Sequence, residues 1–234
     1  VDQLVKRFGG FRALDGVSFH LDAGEVLGLV GPNGSGKTTC INVISGLYAP
    51  DGGTVSFAGA AIAGTPMHRL ARLGINRTFQ SPKPFLSLTV QENVEIAATY
   101  GHAAAAGAPV DLRRLLASME LDRLANRPAG DLNSAQQKTL DLARALATAP
   151  RILLVDELAA GLNPAELLRM ADRLRALAGQ GVAMLVVEHL MGFIDRVTDR
   201  VIVMNAGKEI FEGTLAAATS DPDVIRVFLG GAHG

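Results

Sequence analysis

The eight residues "GPNGSGKT", Gly31 to Thr38, constrain this chain more than any other stretch. They fit G-x-x-x-x-G-K-[ST], directly after the apolar run "EVLGLV" and ahead of a helix-like segment from Thr38 to Leu47. Strand, glycine loop and helix in that order gather backbone N–H groups and a helix N-terminus around one point, which suits a phosphate. Lys37 carries a point charge to the β/γ oxygens of a nucleotide, and the hydroxyl of Thr38 can ligate Mg²⁺. The expected core is a nucleotide-binding sheet, with its ligand off the strand C-termini.

The rest of the chain supports such a sheet. "RILLVD", "PAELLRMADRLRALA", "VAMLVVE" and "HLMGFIDRVTD" alternate strand and helix, which implies parallel βαβ units. "RVIVMNAGKEIFEG" reads as a hairpin turning at "NAG". Before the phosphate loop, "DQLVKRF" and "VSFHLD" alternate as half-buried strands, and "GTVSFAG" reads as one short strand after it. From about Pro82 to Ala147 the pattern turns helical. Thr89 is a candidate cap there, and Leu112, Leu115, Leu116 and Met119 share one face. "GHAAAAGAP" between these helices reads as a loop. The expected architecture is α/β: residues 1–82 and 148–234 form a nucleotide-binding core, mainly a parallel sheet with an antiparallel β subdomain, and residues 83–147 form a helical insert.

Composition removes several function classes. A net charge of −1 over 234 residues leaves no basic excess for nucleic acid. The single cysteine, Cys40, allows no intrachain disulfide and reads as a small buried helix residue. The longest apolar run, "VAMLVV" from Val182, falls far short of the ~20 residues that span a bilayer. No signal peptide is visible, so the chain is expected in the cytosol or held at a membrane by a partner. It opens at Val1 in what reads as mid-strand, so a few preceding residues are expected.

Four further positions carry candidate chemistry. "ILLVDE" ends a buried strand in two acids: Asp156 would sit near Mg²⁺, and Glu157 could polarise an attacking water. Gln80, in "RTFQSPKPF", lies where it could reach the metal or the water. His189, ending "LVVEHL", could contact the γ-phosphate. Phe8, before "GG", could stack on adenine. Taken singly, Gln80, His189 and Phe8 have ordinary structural readings, Phe8 as core packing.

Their order resembles the ATP-binding subunit of ABC transporters along essentially the whole chain. The strings "FGGFRALDGVSF", "INRTFQSPKPFLSLTVQENV" and "AAGLNPAE" look like the ATPase subunits of branched-chain amino-acid importers and their amide and urea relatives, and "DPDVIRVFLG" resembles their C-terminal end. The resemblance implies that Asn33, Gly34, Ser35, Gly36, Lys37, Thr38 and Thr39 hold the phosphates of ATP. It makes Thr38, Gln80 and Asp156 the Mg²⁺ side, with Glu157 as catalytic base, Gln80 and His189 beside it, and Phe8 on adenine. It also implies a second ATP-binding subunit (a sister ATPase or another copy), a transmembrane permease, an external substrate-binding protein, no nucleic acid, and a place on the cytoplasmic face of the membrane. A soluble ABC ATPase would bring large inserts or tandem halves, and a GTPase an Asn-Lys-x-Asp string; none is present. An ABC exporter is the alternative within the family.

Three departures stand out. The family's Pro after the catalytic Glu is here Leu158, which restores an N–H and is expected to loosen the turn. Its signature Leu-Ser-Gly-Gly-Gln falls on Leu132 to Gln136, where Asn133, Ser134 and Ala135 replace Ser-Gly-Gly. "NSAQ" is in itself a helix start, a cap answered three residues on by Gln136. The resemblance makes the same N-terminus the contact for the γ-phosphate bound by the other subunit. The β-carbons of Ser134 and Ala135 would hinder that approach, so an asymmetric pair is expected. Asn163 stands where the family's D-loop usually carries Asp; in "NPAE" it reads as a cap with Pro at the first helical position, and the resemblance adds an inter-subunit role that is compatible with it.

Overall fold

The computed structural model describes residues 1–101 and 110–230. Most of "GHAAAAGAP" lies outside the described residues. In chain order the elements are β1 (Asp2–Phe8), β2 (Phe11–Val17), β3 (Val26–Val30), α1 (Lys37–Ile44), β4 (Gly52–Thr54), β5 (Ser56–Phe57), β6 (Ala60–Ala61), α2 (Met67–Leu73), β7 (Ile75–Arg77), α3 (Val90–Gly101), α4 (Leu112–Ser118), α5 (Ser134–Ala147), β8 (Ile152–Asp156), α6 (Pro164–Gly179), β9 (Ala183–Val187), α7 (Met191–Val197), β10 (Arg200–Asn205), β11 (Lys208–Gly213), α8 (Leu215–Ala218) and α9 (Pro222–Gly230).

A six-stranded sheet runs β11-β10-β3-β9-β8-β7. The strands from β10 to β7 pair in parallel, and β11 returns antiparallel. Its central strands are apolar on both faces, as sheets covered by helices must be. Val26, Val30, Leu153, Val155, Met184, Val186, Val201 and Val203 face one core with α3, α5, α6 and α7. Leu27, Leu29, Leu154, Leu185, Val187, Ile202 and Met204 face another, shared with α1 and with Leu4, Leu14 and Val17 of the antiparallel sheet β2-β1-β4. The amphipathic stripe of α4 is as expected, with Leu116 and Met119 buried. Cys40 is fully buried in α1, and burial pushes its thiol up to about 12.

Two strands differ from their sequence reading. "VSFHLD" is not a continuous strand: β2 covers Phe11–Val17, and beyond it Phe19 still exchanges backbone hydrogen bonds with Val1 at 2.9 and 3.0 Å. Asp15 and Gly16 hide β2 from a propensity reading, yet Leu4–Val17 and Phe8–Phe11 pair along the strand. "GTVSFAG" divides between two sheets, because Val55 turns its side chain into the core and its carbonyl accepts from Ile62 N–H at 2.8 Å.

Candidate functional site

Every candidate on the main sheet lies just beyond a strand C-terminus: the glycine loop after β3, Gln80 after β7, Asp156 and Glu157 at and after β8, His189 after β9. Gly36 stands at the N-cap of α1 with φ 108°, and a β-carbon there would lie 2.5 Å from the Ala13 carbonyl, so the loop is pressed onto β2. Gly34, at φ 78°, has no protein atom within 4 Å of where a β-carbon would sit. The loop is open on that side. Lys37 curls into the loop, its Nζ donating to the carbonyls of Gly31 (2.7 Å) and Pro32 (2.9 Å). Burial lowers its pKa, and the carboxylates of Glu157 and Asp156 draw it back up. Ser35 is buried, its hydroxyl near Lys37 Nζ under the loop.

Glu157 has a left-handed backbone, φ 48°, fixed in part by its N–H donating to Val187 O at 2.9 Å. Gln80 Nε2 donates to Glu157 Oε2 at 2.5 Å, and His189 Nε2 lies 3.0 Å from Oε1. Two residues, each following a different strand, therefore meet on the carboxylate of a third. Asp156 points elsewhere. Its Oδ2 accepts from Arg77 Nη2 at 3.0 Å, in a pair whose side chains are 7% and 6% exposed. Burial raises the Asp156 pKa against the pull of Arg77. Arg77 also donates to Asn42 Oδ1 (2.8 Å) and Ser45 Oγ (3.0 Å) of α1 and its cap. It thus ties the helix of the glycine loop to the end of β8. The sequence reading passed over Arg77.

A cleft of about 280 Å³ gathers these parts. Asn33, Gly34, Gly36, Lys37, Thr38 and Thr39 line it on one side and Glu157 and His189 on another. Phe8 and Phe11 complete it. Phe8 rests edge-on against Tyr48, with ring centroids 5.3 Å apart. Phe11, 62% exposed, is a second aromatic at the same mouth that sequence reasoning missed. Its only signal was the spacing "FGGF".

Asn133 to Gln136 do not join this cleft. Asn133, Ala135 and Gln136 line a separate crevice with Leu162 and Arg173. Asn133 Oδ1 accepts from Gln136 N–H at 2.8 Å, and Gln136 Oε1 accepts from Asn133 N–H at 3.0 Å, completing a capping box. No carbonyl within the helix can serve the N–H groups of Ser134 and Ala135. Asn163 makes the same box with Glu166 at the start of α6, with Pro164 at the first position.

The loosened turn expected from Leu158 is not found. The Leu158 side chain is 1% exposed, inside the core of α5 and α6. The backbone beside it is bound by Lys138 and Glu188. A Pro-free turn is held here by packing and by side-chain hydrogen bonds instead of by a fixed φ.

Comparison with known proteins adds four findings. Residues 14–160 match the family model described as ABC transporter. The chain is 38% identical, over 99% of its length and 97% of the relative's, to the high-affinity branched-chain amino acid transport ATP-binding protein BraF of Pseudomonas aeruginosa. Among solved structures, it superposes with a TM-score of 0.87 and 33% identity on the ADP conformation of an ATP-binding cassette of an ABC transporter, covering 98% of this chain and 97% of that one. It also superposes with a TM-score of 0.79 and 27% identity on a dimeric post-hydrolysis cassette bound to ADP and phosphate, covering 92% and 97%.

Proposed function

Because the chain belongs to the ABC transporter family of ATP-binding subunits, we propose that it energises import of branched-chain amino acids, or of related amides or urea, through a partner permease. The observation that carries the reading is the Glu157 carboxylate, held between Gln80 and His189 at the mouth of the Lys37 cleft. The near-full-length likeness to a branched-chain amino acid transport subunit supports the choice of cargo over the export alternative.

The donor set fits Mg²⁺-ATP. The open side of Gly34 and the ammonium of Lys37 suit phosphate. Hard oxygens on Thr38 and Gln80 suit Mg²⁺, which shares much of its shell with water and substrate phosphates; Asp156, whose Oδ2 is held by Arg77, would serve it through water. Bound there, Mg²⁺ would supply neutralisation of charge on the β- and γ-oxygens. In this reading Lys37 leaves the carbonyls of Gly31 and Pro32 for phosphate, and Phe8 takes the adenine. Glu157 accepts the proton of the attacking water, oriented by His189, and Gln80 reports the state of the cleft to the helical segment 83–147. Release of Gln80 from Glu157 is the step that frees the base.

The other half of each site is assigned to a second cassette, either a sister ATPase or a second copy. The dimeric cassette relative supports that arrangement. The α5 N-terminus is then the surface offered to the partner's γ-phosphate. Asn133 and Ser134 are exposed, as that requires, and Ser134 and Ala135 add bulk where glycine would let backbone approach. The permease is assigned to the exposed edge at Phe85 and Leu86, which Asn93 buttresses by accepting from Phe85 N–H and donating to Phe85 O. An external binding protein would deliver the cargo. No described helix is long and apolar enough to cross a membrane, so the cytoplasmic face of the membrane would be reached through the permease.

Co-purification with the permease, followed by ATP-dependent uptake of labelled Leu, Ile and Val in proteoliposomes, tests the proposal. Uptake of one of these, an amide or urea is expected. An export permease, or no uptake of any of them, contradicts it. In the same system, changing Asn133-Ser134-Ala135 to Ser-Gly-Gly should raise ATP turnover or leave it unchanged, since Ser still caps the helix and the β-carbons are gone. Loss of turnover would refute the obstructed signature.

A further inference from the structure

Lys138 lies two residues beyond Gln136 on α5 and is 5% exposed. A buried ammonium needs all three of its protons served. Its Nζ donates to three backbone carbonyls: Glu157 at 3.1 Å, Leu158 at 3.1 Å and Ala160 at 2.5 Å. From the other side, Glu188, 2% exposed, accepts from Ala159 N–H through Oε1 at 2.6 Å. Two buried charged side chains thus bind every residue from Glu157 to Ala160. Glu157 itself sits in the left-handed region, which an L-residue keeps only when its surroundings hold it there. Neither Lys138 nor Glu188 lines the Lys37 cleft.

We propose that Lys138, backed by Glu188, is the positioning residue that holds Glu157 in its working backbone conformation, and that it couples α5, whose first turn is Asn133–Gln136, to that base. The inference rests on the reading of Glu157 as base and of the α5 N-terminus as the face toward the partner cassette. Engagement of α5 across the dimer then bears on this chain's own cleft, because the helix that meets one nucleotide carries the clamp on the base that attacks the other. Leu158 makes the clamp necessary, since no proline ring fixes the turn.

The test uses the reconstituted transporter with Lys138→Met and Lys138→Arg. Lys138→Met should lower kcat about tenfold, with KM for ATP and the affinity for a fluorescent ADP analogue within about twofold of wild type. Lys138→Arg, which keeps a buried cation with several donors, should recover most of the loss. In a Glu157→Gln background Lys138→Met should add no further loss, because both act through the same carboxylate. If Glu157→Gln alone spares turnover, the base reading fails. If Lys138→Met lowers turnover equally with and without Glu157, the positioning role fails while the base reading stands. Should Lys138→Met not fold, Glu188→Met, which removes the acceptor for Ala159 N–H, takes its place, expected to lower kcat with ADP affinity retained. Full kcat in either folded variant overturns the proposal.

Discussion

Glu157→Gln in the reconstituted complex should lower ATP turnover by about 10²–10⁴-fold, the usual worth of a positioned general base, while ATP still binds. The substitution keeps the size of the side chain and an oxygen for Gln80, whose amide now donates to Oε2. It removes the ability to take a proton from water. The phosphate-side groups, Lys37 and the N–H groups of the glycine loop, are untouched, so ATP affinity should stay within about twofold. Phosphate release and equilibrium nucleotide binding on the same preparation separate the two effects. A variant that turns over as wild type would place the base elsewhere, and one that fails to bind ATP would make Glu157 a binding residue.

The second large effect belongs to stability. Arg77→Ala should destabilise the fold by about 3–5 kcal/mol, because it strands the buried Asp156 carboxylate without its cation. It also removes the hydrogen bonds to Asn42 and Ser45 that tie α1 to the sheet. For a chain of this length that corresponds to a fall in Tm of roughly 10 °C. Arg77→Lys should recover only part of it, since one ammonium cannot reproduce the planar fork that reaches both α1 and Asp156. Urea and thermal unfolding read this directly, without nucleotide. Wild-type stability in Arg77→Ala would mean that the pair contributes nothing net.

The legible parts of this chain were those whose physics is local. The glycine loop announces itself within eight residues. The turn at "NAG" needs two adjacent left-handed residues, and Ala206 and Gly207 have φ of 47° and 80°. The helix starts at Asn133 and Asn163 are each closed by a residue three positions on. Arg77 and Lys138 escaped notice because their partners are far along the chain: Asp156 is 79 residues from Arg77, and the Lys138 carbonyls are 19 to 22 residues away. In sequence Lys138 is one polar residue in "QQKTL", and only the fold reveals that its helix face is buried. Leu158 misled for a related reason. A missing proline suggested slack, but packing and two distant charged side chains hold the turn. β2 was missed because Asp15 and Gly16 interrupt the alternation, although its backbone pairs with β1 from Phe8–Phe11 to Leu4–Val17 across two register shifts.

On the proposed reading, pairing with a sister cassette makes the two ATP sites unequal: the one built on Lys37, Glu157 and His189 is the stronger, and the one faced by Ser134 and Ala135 at the α5 N-terminus is the weaker. Photolabelling the reconstituted complex with a reactive ATP analogue during turnover, then separating the two cassettes, tests this most directly. The label carried by hydrolysed nucleotide should fall mainly on this chain and vanish from it in Glu157→Gln. Equal labelling of both cassettes, or labelling of the partner alone, would contradict it.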